Sequence, residues 1–329
     1  MQILNSLFPI FAVIALGMIL RRSGFLNHEI TQGFNRFAYY FALPMFLFYK
    51  LGSAQMDLMV FFSDEFEWKA TVGAGMVVSY MLTLLAATLL TAFLAWLFCK
   101  PLGVGFGSQG AFIQACFRGN LAFIGLPLIM FAIFDFPVER KTEIEAAMLV
   151  AITPILILYN VLSVAVLAVF NKETDSEFSW TYVLKNIATN PLLWASVLGV
   201  VFQAAGWTIP TSVERTCAVV GASAFPMALL GIGSQLISIS ISGNWILPLV
   251  SSVVKSVLCP LIGWAVATSL GLSGVELKVI LIMCASPTAV SSYVLADQMN
   301  GDGDLAAGSV VIGTACSLLT LSVLLWLTG

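Results

Sequence analysis

The segment Arg118–Leu128, RGNLAFIGLPL, sets an arginine, an asparagine, two glycines and a proline close together. It sits in an otherwise apolar run from about Gly107 to Phe134 with no other charge in it. A run of that length crosses a bilayer, whose hydrocarbon core of about 30 Å takes about 20 helical residues. Arg118 lies about ten residues in from Ser108, which at ~1.5 Å per residue places it near mid-membrane. A charge there costs at least ~2.5–3.5 kcal/mol on insertion scales. Gly119 weakens a helix, and Pro127 removes a backbone hydrogen bond. Interrupted backbone at that depth is tolerated where it is buried in protein or lines a watery cavity. The stretch therefore reads as a break in a transmembrane helix, kept for a purpose.

The composition agrees. Hydrophobic residues make up 60% of 329 and charged residues 9%, with a mean hydropathy of +0.99. A soluble domain carries about 25% charged residues. About ten apolar segments follow one another, near 3–20, 37–51, 70–98, 108–134, 146–170, 187–205, 216–237, 245–270, 277–297 and 305–328. They are continuously apolar and lack the alternation of barrel strands, so the fold class is an all-α polytopic membrane protein. Trp68, Trp207 and Trp245 fall near span ends, as in an interfacial belt.

Arg21 and Arg22 follow the first apolar stretch, and no cleavage site is evident, which reads as a first transmembrane helix and not a secretory signal. Arg21, Arg22 and Arg36 put the first connection in the cytoplasm, and the acidic second connection, QMDLMVFFSDEFEW, outside. Both termini are then outside an inner membrane of bacterial type. Lys and Arg in the remaining loops divide about equally between the two sides. The net charge of −3 comes with no basic stripe for nucleic acid. Cys99, Cys116, Cys217, Cys259, Cys284 and Cys316 lie in or beside apolar runs, with neither metal-ligand spacing nor a disulfide framework. No metal or cofactor is expected.

The chain also repeats itself. A shift of 182 positions lays Pro9, Leu16, Gly17 and Gly24 on Pro191, Leu198, Gly199 and Gly206, and ALPM (Ala42–Met45) on AFPM (Ala224–Met227). The halves are residues 1–171 and 186–329, five helices each, joined by a short cytoplasmic linker at 172–185. An odd number of helices makes the second half enter from the opposite side, which is an inverted repeat. The fourth helix then pairs with the ninth, and in such a repeat the two cross near the midplane.

The ninth helix carries CASPTAVSSYVLADQ, with Ser286, Pro287, Thr288, Ser291 and Ser292 in mid-span. Two broken helices aim half-helix N-termini at a common point, and those ends favour an anion. Arg118 and, in the eighth span, Lys255 add positive charge, with no acid at comparable depth. Asp297, at the end of the ninth span, is the nearest. A negatively charged ligand is expected.

The candidate ligands are Arg118, Asn120, Thr288, Ser291 and Ser292, and the candidate breaks are Gly119, Gly125, Pro127 and Pro287. Each has a second reading. Arg118 contacts the ligand or caps exposed carbonyls at the break. Lys255 neutralises carbonyl ends at the crossover, touches substrate, or carries a proton. Polar side chains such as Asn120 and Thr288 also serve as interhelical glue. Pro44 and Pro226 read as kinks in a scaffold or gate. His28 reads as a solvated loop residue, and Asp297, Asp302 and Asp304 as a solvated face.

These residues resemble those of the auxin efflux carrier family, whose plant members are the PIN proteins and whose bacterial members are described as malate or malonate permeases. NRFAYYFALPMFLF (Asn35–Phe48) is similar to the family's second helix. NLAFIGLPL (Asn120–Leu128) is similar to its broken fourth helix. Lys255 and Pro260 resemble a basic residue and proline of the eighth, and SPTAVSSYVLA (Ser286–Ala296) resembles the ninth. The resemblance covers nearly the whole chain. It implies ten helices in two inverted repeats, a crossover of helices four and nine, elevator movement of a transport domain against a scaffold, and organic-anion substrates. A homodimer through the first or second helices of each repeat follows by the same analogy. Three features depart from the plant pattern. Ser292 stands where plant members have a second proline, Arg118 has no counterpart in them, and NKETDSEFSW (Asn171–Trp180) is short where they have a long loop. Arg118 points to a smaller or more highly charged anion than auxin.

The expected function is a secondary carrier for a mono- or dicarboxylate such as malate or malonate. A sodium- or proton-coupled carrier or antiporter of the same architecture would want deep carboxylates. A membrane enzyme would want a nucleophile with its base, or paired acids, and the one histidine is in a loop. A ligand-sensing membrane protein on a transporter scaffold is a third class.

Overall fold

The computed structural model describes residues 2–53, 73–170, 188–238 and 245–328. The acidic connection with Trp68 and the linker at 172–185 lie outside the described residues. Among those described, the regular structure is helical apart from one isolated antiparallel bridge. Six helical stretches are each long and apolar enough to cross a membrane: Asn5–Arg22, Gly73–Cys99, Val138–Val169, Thr211–Ser238, Ile246–Ser269 and Gly303–Leu327. The outer surface is apolar, with Phe8, Phe93, Trp96, Leu319 and Trp326 exposed. Lipid, not water, matches such a surface.

The elements are α1 (Gln2–Arg22), α2 (His28–Phe37), α3 (Leu43–Gly52), α4 (Gly73–Cys99), α5 (Phe106–Phe117), α6 (Leu126–Ala132), α7 (Val138–Val169) and α8 (Pro191–Ala204). Then come α9 (Thr211–Ala222), α10 (Ala224–Ser238), α11 (Ile246–Val253), α12 (Cys259–Ser269), α13 (Gly274–Ala285), α14 (Ser291–Gln298) and α15 (Gly303–Leu327). They pack as two bundles. In one, α1 lies on α10, α3 on α8 and α9, and α2 on α10. In the other, α4 lies on α5, α7 and α12, α13 on α12, and α15 on α11 and α14. The bundles meet where α1 touches α6 and α3 touches α7.

Three prolines share one local solution. Pro44, Pro127 and Pro260 each stand second in a helix that follows a π-turn: Ala38–Ala42, Leu121–Gly125 and Val254–Leu258. In each, the first residue of the new helix donates five residues back: Leu43 to Ala38, Leu126 to Leu121, Cys259 to Val254. Proline has no N–H to give, and its ring presses on the carbonyl four residues earlier. One wide turn makes room for that ring without ending the helix.

The 182-residue shift has a spatial counterpart. A methyl group on Gly17 would strike the Leu230 carbonyl, and one on Gly199 would meet the Phe48 carbonyl at 3.0 Å. Phe48 and Leu230 are themselves related by the shift. Gly24 and Gly206 both close a helix with positive φ, 81° and 66°, donating three residues back to Arg21 and Gln203. Gly17 and Gly199 thus meet carbonyls that are themselves counterparts under the shift.

Candidate functional site at the crossed helix breaks

The run from α5 to α6 does break, at Arg118–Asn120, and the run from α13 to α14 breaks at Ser286–Val290. The two extended pieces pair antiparallel, with Gly119 opposite Thr288. Asn120 N–H donates to the Pro287 carbonyl at 2.7 Å, and Ala289 N–H donates to the Arg118 carbonyl at 2.9 Å. Each break thus satisfies backbone groups of the other, which non-helical chain at membrane depth needs.

The ends of the half-helices are capped by side chains. The Thr288 hydroxyl donates to the Ala115 carbonyl at 2.9 Å, and the Lys255 ammonium donates to the Cys284 carbonyl at 2.5 Å. Both acceptors belong to the last turn of a half-helix, where carbonyls have no intrahelical partner and the dipole is negative. The Asn120 side chain accepts from Phe123 N–H at 3.3 Å and so caps the segment beyond the break. Gly119 leaves room for the Lys255 stem, since a Cβ there would lie 3.0 Å from its Cε. Gly125 sits past the break, in the π-turn. A Cβ on it would meet the Ser286 hydroxyl at 2.6 Å and the Met283 sulfur at 2.8 Å. Pro127 lies farther on, in the first turn of α6.

Arg118 is 8% exposed. One guanidinium nitrogen donates to the Asn160 side chain at 2.8 Å, and Nη1 has no partner among the described residues. The buried acids Glu145 and Glu276 are spent elsewhere. Glu145 pairs with Lys50 at 2.7 Å, and Glu276 pairs with Arg140. Glu145 stands fifteen residues before Asn160, roughly 22 Å along α7.

The sequence-expected residues therefore divide. Arg118, Asn120 and Thr288 meet at the crossover, with the side chains of Asn120 and Thr288 engaged by backbone. Ser292 is buried with no partner for its hydroxyl among the described residues, while Ser291 is exposed. Lys255 is fully buried behind the pair. His28 is exposed and bonds Gln32. Asp297 and Asp304 are exposed, but Asp302 is no mere solvated residue. It caps α15 through Leu305 N–H and accepts from the Ser108 hydroxyl at 2.6 Å. Sequence reasoning missed Gln114, Asn160 and Ser163, although Gln114, one turn before Arg118 in the same apolar run, was a visible signal. Among the described residues no cluster of three or more metal-ligating side chains is present.

A family described as "membrane transport protein" matches residues 2–325. The chain belongs to that family. This is the PIN-like family to which the motifs of helices two, four, eight and nine pointed. An uncharacterized transporter of Methanothermobacter thermautotrophicus is 22% identical over 318 residues, covering 96% of this chain and 95% of the relative. A second, from Methanocaldococcus jannaschii, is 21% identical over 221 residues, covering 66% and 68%. The membrane transport family and the apolar exterior together identify an integral membrane transport protein.

Proposed function

We propose that this transporter is a secondary carrier for a small organic anion, a mono- or dicarboxylate such as malate or malonate. The observation that carries the reading is Arg118: a buried guanidinium at the crossing of two broken helices, with one nitrogen unpartnered and no carboxylate paired to it among the described residues. An anion at the crossover would be met by that charge and by Ser292, with Asn120 and Thr288 alongside. Lys255, holding the Cys284 carbonyl, supports the crossover.

The packing into two bundles supports alternating access of the elevator type. The bundle of α4–α7 and α11–α15 would carry the crossover past the bundle of α1–α3 and α8–α10. The full reading is ten spans in two inverted five-helix repeats, 1–171 and 186–329. It places both termini outside a bacterial-type inner membrane and allows a homodimer through the first or second helices of the repeats.

The test is the thermal stability of purified protein in malonate, malate, succinate, acetate, indole acetate and chloride at matched ionic strength, for wild type and Arg118→Ala. A ligand of the folded state stabilises by RT ln(1 + [L]/Kd), about 2.7 kcal/mol at a hundredfold excess over Kd. The expected result is that one carboxylate raises the wild-type melt and leaves the variant unmoved. A melt that responds to sodium or proton concentration and to no organic anion would overturn this reading in favour of a cation-coupled carrier.

A further inference from the structure

Below Arg118 the helices hold polar groups that the crossover does not use. Both amide atoms of Gln114, the Ser163 hydroxyl and the Ser292 hydroxyl are buried with no partner among the described residues. Gln114 and Ser163 are fully buried, and Ser292 is 1% exposed. They belong to α5, α7 and α14, three elements packed on one another.

Their register brings them to one level. α5 and α7 run antiparallel. Phe106 meets Phe170 with ring centroids 5.4 Å apart, a Cβ on Gly110 would meet the Val166 carbonyl at 2.8 Å, and Phe117 meets Tyr159 at 5.9 Å. In that register Gln114 stands opposite Leu162 and Ser163. The α14 side is fixed at two points, by Ala289 N–H on the Arg118 carbonyl and by Ser108 on Asp302. Between these points, Ser292 falls at the level of Gln114. Arg118 lies one helical turn above, with Nη1 also unpartnered.

Buried polar groups in folded proteins have partners, and a group without one calls for a water, an ion or a ligand. Here the donors are a side-chain amide, two hydroxyls and a guanidinium, with no carboxylate paired to that guanidinium. The Gln114 amide N–H group and the two hydroxyls are donors with no acceptor among the described residues. We propose that α5, α7 and α14 enclose a site for one small inorganic anion of halide size, held by Gln114, Ser163 and Ser292 under the positive charge of Arg118. This resident anion is distinct from the transported one. It offsets the buried guanidinium and ties α14 to α5 and α7, one turn from the crossover. The inference does not depend on the carrier reading.

The test is the melting temperature of full-length protein in sodium chloride, bromide and gluconate at matched ionic strength, with potassium salts as a cation control. Bromide-soaked crystals would supply the position. Chloride and bromide are expected to raise the melt saturably over gluconate, with an anomalous bromide peak between Gln114, Ser163 and Ser292. Ser163→Ala and Ser292→Ala are each expected to weaken the apparent halide affinity at least tenfold. Ser163→Ala, at a residue the crossover site does not use, should leave any malonate-dependent shift in place, which separates failure here from failure of the carrier reading. Gln114→Met removes the amide at similar volume, and if it does not fold, the two serine variants still decide. A melt indifferent to halide, a halide effect unchanged in both serine variants, or a peak that is water alone would each overturn the proposal.

Discussion

The amide of Asn120 donates to the carbonyl of Pro287 across 2.7 Å, joining two chain segments 167 positions apart in sequence. Neither segment could stand broken in hydrocarbon alone, since each unsatisfied backbone group there costs several kcal/mol. The pairing makes the two breaks one feature. A change that closes one break into continuous helix leaves polar groups of the other exposed.

Lys255 and Thr288 are expected to act as caps. Lys255→Met keeps the apolar stem and removes the ammonium from the Cys284 carbonyl. Thr288→Val keeps the shape and removes the hydroxyl from the Ala115 carbonyl. Leaving a buried carbonyl without its donor costs about 1–3 kcal/mol. Each variant should lose that much stability in thermal or denaturant melts, with Lys255→Met the larger because its bond is charge-assisted. A Lys255→Met protein as stable as wild type would show that the ammonium does not hold the α13 end.

Ser291 and Ser292 should separate cleanly. Ser291 is exposed, so Ser291→Ala is expected to stay within about 0.5 kcal/mol of wild type and to leave uptake of a transported anion unchanged. Ser292→Ala removes a buried hydroxyl beside the crossover and should change anion affinity. Uptake assays in proteoliposomes over a range of anion concentrations would check both. Equal effects from the two serines would mean that α14 is rotated from its present phase.

The breaks themselves were legible in the sequence because glycine, proline and charge have no ordinary place at mid-span. Pro287 and Gly119 stand in the breaks for that reason. Pro127 misled by the same logic. A proline inside a helix need not end it when a π-turn precedes it, and nothing in LAFIGLP announces the wide turn. Ser291 could not be told from Ser292, because an extended piece of several residues erases the helical phase that would assign faces. Gln114 and Ser163 become neighbours through the antiparallel register of α5 and α7, which is set by contacts such as Phe106 on Phe170. Asp302 was read as solvated because its partner, Ser108, is 194 residues away.

The repeat yields a paired expectation. Gly17 and Gly199 face carbonyls related by the same 182-residue shift. Gly17→Ala and Gly199→Ala should therefore cost similar amounts, about 1–3 kcal/mol each for overpacking a close helix contact. Their effects should add, since the two contacts share no residue. Melts of the two single variants and the double would check this. One tolerated and one destructive substitution would show that the two contacts are not equivalent.

Lys50 and Glu145 link the two bundles, for Lys50 is on α3 and Glu145 on α7. The Glu145 side chain is 6% exposed and that of Lys50 26%. Taking away one member of a buried pair leaves the other charge uncompensated, a loss of about 3–5 kcal/mol when both are fully buried and less here, where Lys50 reaches solvent. Lys50→Met should destabilise by roughly 2–3 kcal/mol. Adding Glu145→Gln should recover most of that loss, because the stranded carboxylate is gone. A double-mutant cycle in melts gives the coupling directly. The same double variant also bears on movement. If the bundles slide past one another during transport, the pair must part in every cycle, and the variant without it should cycle at least as fast in proteoliposome uptake. A double variant that is stable yet slower would mean that the pair stays closed throughout and that motion occurs within a bundle instead of between the two.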